Sequence, residues 1–183
     1  MVGTAVFTAI VFILQFISMN LRFSMFSITL VLMPVVVGAA MYGVVSGAWL
    51  GFVFGLAVLL TGDAAAFLTV NAIGTVIVVL LKGTLAGLAA AAVYKLLEKK
   101  NRYLAVLAAS IVCPVVNTGV FLLGCLVFFM DTVTEWAGGT DVGRYMIFGL
   151  VGGNFLIELG INLVLNPIIV KIIDIGKKQH SVA

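Results

Sequence analysis

The sequence predicts an all-α integral membrane protein: one domain, residues 1–183, with six transmembrane helices and both termini in the cytoplasm. The first observation is composition. Of 183 residues, 63% are hydrophobic and only 9% are charged, and mean hydropathy is +1.30, whereas a soluble domain averages about 25% charged residues. The second is that apolar stretches repeatedly reach the roughly 20 residues that a bilayer-spanning helix needs. The third is the one-sided placement of the basic residues.

Polar breaks divide the apolar sequence into helices. A polar loop containing Arg22 follows the first apolar run. Residues 23–62 carry no charge but are too many for one span, so the sequence around Gly43 is interpreted as a turn. Polar or charged loops then occupy residues 61–71, 98–102 and 130–141. The predicted helices 1 to 6 are residues 4–19, 28–42, 46–60, 72–97, 104–129 and 142–173.

Three of these helices carry small residues four apart, on one face. Small residues let the backbones of two helices approach closely in lipid. They are Ala5 and Ala9 in helix 1, Gly47, Gly51 and Gly55 in helix 3, and Gly83 and Gly87 in helix 4.

Basic residues set the orientation, because cytoplasmic loops carry the excess of lysine and arginine. With both termini inside, Arg22 and Arg144 lie outside and Lys82 lies within the membrane. The acidic loops also fall outside. The basic residues at the inner side are Lys95, Lys99, Lys100, Arg102, Lys171, Lys177 and Lys178.

Scarce polar side chains meet near the middle of the predicted bundle. At 1.5 Å per residue, Lys82 in helix 4, Asn117 in helix 5 and Asn154 in helix 6 all lie about 15–20 Å from a membrane face. Glu158 lies one turn deeper than Asn154. These four residues are the candidate substrate-binding site, since polar groups at membrane depth face protein or water and typically have a function.

The polar residues of helix 6 recur every four positions and so form one stripe along the helix. They are Asn154, Glu158, Asn162 and Asn166. Two other interpretations stay open at this point. The asparagines could only join helices by hydrogen bonds, and Lys82 could only neutralise Glu158 in an ion pair.

Several functional classes are excluded by missing motifs. The single histidine, His180, leaves no Ser/His/Asp or Cys/His set, so no enzyme is predicted. No G-x-x-x-x-G-K-[ST] occurs, so the chain does not bind ATP through a P-loop. No metal or cofactor is predicted. The few basic residues flank membrane helices, which argues against nucleic-acid binding.

Three stretches resemble the substrate-binding (S) components of energy-coupling factor (ECF) transporters, which import vitamins into bacteria. SITLVLMPVVVGAAMYGVVSGAWLGFVFGL (residues 27–56) is similar to their helix 2–helix 3 region. LLKGTLAGLAAAAVYKLL (residues 80–97) is similar to their helix 4, and VVNTGVFLLGCLVFF (residues 115–129) to their helix 5. The resemblance covers nearly the whole chain.

This resemblance implies a multi-pass protein of the bacterial cell membrane with a vitamin site in its outer half. The site would be made by helices 4 to 6 and the loop after helix 1. The family's A-x-x-x-A strip, matched here by Ala5 and Ala9, would dock on the transmembrane coupling (T) component. Two partner ATPases would use ATP. The turn at residues 43–46 departs from the family pattern, because it lacks the expected basic or proline residue.

The helix 2–helix 3 stretch is most similar to pantothenate S components. Lys82 would then hold the carboxylate, with Asn117 and Asn154 on the amide and hydroxyls. Riboflavin is the alternative vitamin, and it would stack on aromatic side chains. The aromatic candidates are Phe23, Phe26 and Trp136.

Two other classes compete with the S-component prediction. One is a stand-alone proton-coupled transporter that uses Glu158 as its proton carrier. The other is a membrane assembly protein in which the glycine faces matter and the polar groups only hold helices together.

Overall fold

The computed structural model describes residues 2–20 and 30–180, and the regular secondary structure of these residues is entirely helical. The predicted aromatic contacts of Phe23 and Phe26 lie outside the described residues. A π-helical segment, Tyr145–Gly152, joins α8 to α9. The α-helices are α1 (Val2–Ser18), α2 (Leu32–Tyr42), α3 (Val44–Leu60), α4 (Ala65–Leu68), α5 (Ala72–Leu97), α6 (Arg102–Phe128), α7 (Met130–Ala137), α8 (Val142–Arg144), α9 (Gly153–Val164) and α10 (Asn166–His180).

Three helical stretches of the described chain are long and apolar enough to cross a membrane: α5, α6 and the continuous run Val142–Val164. α1, α2 and α3 are apolar but shorter, at 17, 11 and 17 residues. The all-helical prediction is therefore confirmed for the described residues. The count of six transmembrane helices and the cytoplasmic location of both termini stay predictions.

Helices α3 and α5 form the centre of the bundle, in direct backbone contact. A Cβ atom at Gly51 would overlap the carbonyl oxygen of Gly83, and one at Gly55 would lie 2.7 Å from the carbonyl oxygen of Val79. No side chain separates the two helices along this contact. The predicted glycine faces of helices 3 and 4 thus pack against each other, as small residues do in lipid.

The turn between α2 and α3 is a single residue, Gly43. Its φ of 87° is a conformation that residues with a Cβ rarely adopt. The interpretation of this sequence as a break is confirmed. Pro34 lies in the first turn of α2, where its missing N–H removes no hydrogen bond within the helix.

Two short helices, α4 and α7, occupy regions that the sequence predicted as loops. α7 buries Val133 and Ala137, which are four residues apart, and exposes its polar side. The predicted helix 6 is also divided. α9 ends before Leu165, because Pro167 has no N–H to continue the hydrogen-bond ladder.

Candidate functional site

A partly open cavity lies between α3, α5, α6 and α9, with about 490 Å³ of empty space including its mouth. The four residues predicted to converge, Lys82, Asn117, Asn154 and Glu158, all line it. The other lining residues are Phe54, Val58, Asp63, Thr118, Phe121, Leu150, Val151 and Phe155. The arrangement is typical of a small-molecule site: mostly apolar walls with a few polar groups that point inward.

Lys82 is positioned by the α3–α5 contact. It precedes Gly83, whose backbone packs on Gly51, while Phe54 precedes Gly55 on the facing helix. The side chains of Lys82 and Phe54 therefore leave the helix contact beside each other. The Lys82 Nζ atom lies 5.9 Å from the Phe54 ring centroid and 5.4 Å from that of Phe121, which is within cation–π range.

Two carboxylates lie near Lys82. Glu158 and Asp63 are the nearest sources of negative potential at the ammonium. The ammonium thus lies over two aromatic faces and within the negative potential of both carboxylates.

Asn117 contributes an amide from α6. Its side chain is buried, with 6% exposed, and in the described part of the chain Oδ1 accepts no hydrogen bond. A buried acceptor without a partner is destabilising by about 1–3 kcal/mol. A ligand that donates a hydrogen bond to Asn117 would recover this energy.

The polar stripe of the last apolar stretch is buried along its whole length, and it divides into two pairs. Asn154 and Glu158 line the cavity. Asn162 instead donates from Nδ2 to the carbonyl oxygen of Ser110 at 3.5 Å, and Asn166 is fully buried among packed helices. The helix-joining interpretation therefore describes Asn162, while Asn154 and Glu158 line the cavity.

Sequence reasoning missed several lining residues. Asp63 was assigned only to a loop, but the turn after α3 brings it to the cavity, and its N–H donates to the Val58 carbonyl oxygen. The rings of Phe54 and Phe121 were missed as well. The sequence signal that could have identified Phe54 as a lining residue was its position next to Gly55, which lies on the face of α3 that contacts α5.

Trp136 does not line this cavity. It packs edge-to-face on Phe67, with ring centroids 5.3 Å apart.

Ala5 and Ala9 are exposed on α1, and no residue of α1 lines the cavity. The buried residues of α1 are Val11, Gln15 and Ser18, and Trp49 Nε1 of α3 donates to Thr8 Oγ1 at 3.1 Å. No group of three or more metal-ligating side chains occurs within the described residues.

The chain was compared with known protein families, curated proteins and solved structures. The family model described as "ECF transporter, substrate-specific component" matches residues 1–170. No curated protein and no solved structure was found to match the chain.

Proposed function

Because this chain belongs to the substrate-specific component family of ECF transporters, we propose that it binds a vitamin, with pantothenate favoured, in the cavity around Lys82. The vitamin would enter from outside a bacterial cell and pass to the T component and the two ATPases. Family membership places the chain among membrane transport proteins rather than enzymes, and it implies a bound substrate and partnership with T and ATPase components.

The observation that carries the proposal is the convergence of Lys82, Asn117, Asn154 and Glu158 on one cavity from three helices. Pantothenate offers a carboxylate, an amide and two hydroxyls. Its carboxylate can accept a charge-assisted hydrogen bond from the Lys82 ammonium. Its hydroxyls and amide N–H can donate to Asn117 Oδ1, which lacks a donor.

The proposed route to the partners uses α1. Its exposed face presents Ala5 and Ala9, and small residues permit close approach of a helix from the T component. The residues of α1 that are buried in the bundle are different ones, namely Val11, Gln15 and Ser18. Binding and docking would thus use separate surfaces of the chain, with ATP consumed only by the partner subunits.

Mass spectrometry of compounds that co-purify with the protein, followed by titration with pantothenate, tests this proposal. We expect saturable binding of pantothenate that Asn154→Leu weakens at least tenfold. Lys95→Met, on the exposed side of α5, is the matched control and should bind as the unmodified chain does. Absence of pantothenate binding, together with retention of a different vitamin, would contradict the favoured substrate but not the site.

Riboflavin is the second candidate, favoured by the aromatic walls Phe54, Phe121 and Phe155. Flat rings stack well on such side chains. Quenching of flavin fluorescence on mixing would identify it. The proton-coupled alternative makes a different prediction: the chain alone, without T component or ATPases, would accumulate solute, and an uncoupler would abolish the uptake.

A further inference from the structure

The buried side of the last apolar stretch repeats every four residues. Between residues 146 and 166, every fourth residue is buried, with 0–8% of its surface exposed, and all the others are partly buried or exposed. One side of the stretch therefore faces the bundle along this whole length, and it includes the two polar residues that line the cavity. The buried residues are Met146, Leu150, Asn154, Glu158, Asn162 and Asn166.

A uniform α-helix does not keep such a repeat on one side. Four residues turn an α-helix by about 40° more than one full turn. Four such steps separate Met146 from Asn162, so the drift would reach about 160° and place the two residues on nearly opposite sides. The buried residues after Asn166 are Ile169 and Ile173, and these steps of three and four residues are those of an ordinary α-helix.

The π-helical segment Tyr145–Gly152 removes this drift. A π-helix is wound more loosely, because its hydrogen bonds connect residues five apart, so four residues fall short of a full turn. The buried side therefore drifts backwards from Met146 to Leu150 and forwards along α9. Because the two drifts offset each other, Asn154 stays on the same side of the stretch as Met146.

Gly152 fits the π-helical winding because it has no side chain. A Cβ atom there would lie 2.7 Å from the carbonyl oxygen of Ile147, five residues earlier, which is too close. The obstacle is backbone of the same segment, so no change of rotamer can relieve it. Gly153, the next residue, has nothing within 4 Å of its Cβ position. Alanine at position 152 thus conflicts with the π winding, although alanine favours an α-helix over glycine.

We infer that the π-helical segment positions the candidate site: its looser winding holds Asn154 and Glu158 on the cavity side, and rewinding it as an α-helix would turn them away from the cavity. This inference rests on the proposed function, because it takes the cavity as the substrate site. Gly152 itself does not line the cavity. It is a positioning residue, which acts through the rotation of α9.

The first test changes the winding by substitution. Gly152→Ala introduces the overlap with the Ile147 carbonyl oxygen, and Gly153→Ala is the matched control, the same change one residue later. Each purified protein is incubated with a cellular small-molecule extract supplemented with pantothenate and riboflavin, and the retained compounds are measured by mass spectrometry. We expect retention to fall about tenfold or more in Gly152→Ala, because Asn154 and Glu158 leave the cavity, and to stay unaltered in Gly153→Ala.

Deletion of Phe148 distinguishes lost positioning from lost stability. Phe148 is exposed and lies within the π-helical segment. Its removal shortens the step from Met146 to Leu150 to three residues, which an α-helix keeps on one side. Combined with Gly152→Ala, this deletion should therefore restore most of the retention that the substitution alone removes. A protein that had only lost stability would lose more retention with the second change.

A second measurement does not depend on whether Gly152→Ala folds. Deletion of Phe148 alone should change retention little, because the shortened segment can wind as an α-helix. Deletion of Leu156, an exposed residue of α9, should abolish retention, because it turns Glu158 by about 100° relative to Asn154.

Either of two results would overturn the inference and leave the proposed function standing. One is equal loss of retention in the two deletions, and the other is equal retention by Gly152→Ala and Gly153→Ala. Retention of nothing by the unmodified chain would overturn the proposed function itself, and this inference with it.

Discussion

The variant Lys82→Met distinguishes two possible roles of Lys82. In the first role its ammonium binds the substrate, and in the second it only balances charge inside the bundle. Methionine has a similar length and is apolar, so it keeps contact with the Phe54 and Phe121 rings. The variant removes two cation–π contacts, at 5.9 and 5.4 Å, each worth about 0.5–1 kcal/mol. It also removes the cost of keeping an ammonium partly buried. These contributions oppose each other, so we expect the melting temperature to change little.

The expected loss is in affinity. A charge-assisted hydrogen bond between Lys82 and a substrate carboxylate contributes about 1.5–3 kcal/mol. Its removal corresponds to a fall in affinity of about tenfold to a hundredfold. The assay is titration of pantothenate by calorimetry, with thermal melting of each protein in the same detergent. Lys95→Met, the same change at an exposed position of α5, should leave both affinity and melting temperature unaltered.

The opposite pattern would refute this reasoning. If Glu158 depends on Lys82 for its stability, Lys82→Met would lower the melting temperature and leave affinity unchanged. The double variant Lys82→Met/Glu158→Gln would then recover the lost stability. That result would remove Lys82 from the substrate site and, with it, the main reason for favouring a vitamin that carries a carboxylate.

Three further predictions address packing, docking and topology. Gly51→Ala should lower the melting temperature by several degrees, because its Cβ would overlap the Gly83 backbone, whereas Gly119→Ala, which has nothing within 4 Å, should be neutral or slightly stabilising. Ala9→Trp should abolish vitamin uptake by the complete transporter but keep binding by the isolated chain; Leu123→Trp, on an exposed part of α6, is the control. Lys99→Cys should resist an impermeant thiol reagent in intact cells, and labelling there would reverse the predicted topology.

The long apolar helices could be predicted from the sequence because their ends carry local signals. α5 spans Ala72–Leu97, as predicted. Its start is marked by Asn71, whose side chain accepts from the Gly74 N–H, and a charged segment follows its end. Convergence of the four polar site residues on one cavity could also be predicted, since depth along a helix follows directly from residue number.

The parts that could not be predicted depend on tertiary packing. α4 and α7 are too short for a reliable periodic signal, and their burial comes from contact with the Phe67 cluster. Asp63 reaches the cavity only because the segment after α3 turns back over the bundle. Asn154 and Glu158 line the cavity, whereas Asn162 and Asn166 do not. This difference depends on the part of α6 that each side chain faces, and the four-residue spacing does not specify it.

The backbone contact between α3 and α5 gives the candidate cavity one closely packed wall. With carbonyl oxygens of one helix lying against glycines of the other, neither helix can slide or tilt without overlap. Phe54 and Lys82 therefore extend from a tightly packed pair of helices. The facing wall includes Leu150 and Val151 from the π-helical segment, whose looser winding adapts more easily. We therefore expect that entry or exit of a solute would move the wall that carries Leu150 and Val151 more than the wall that carries Lys82.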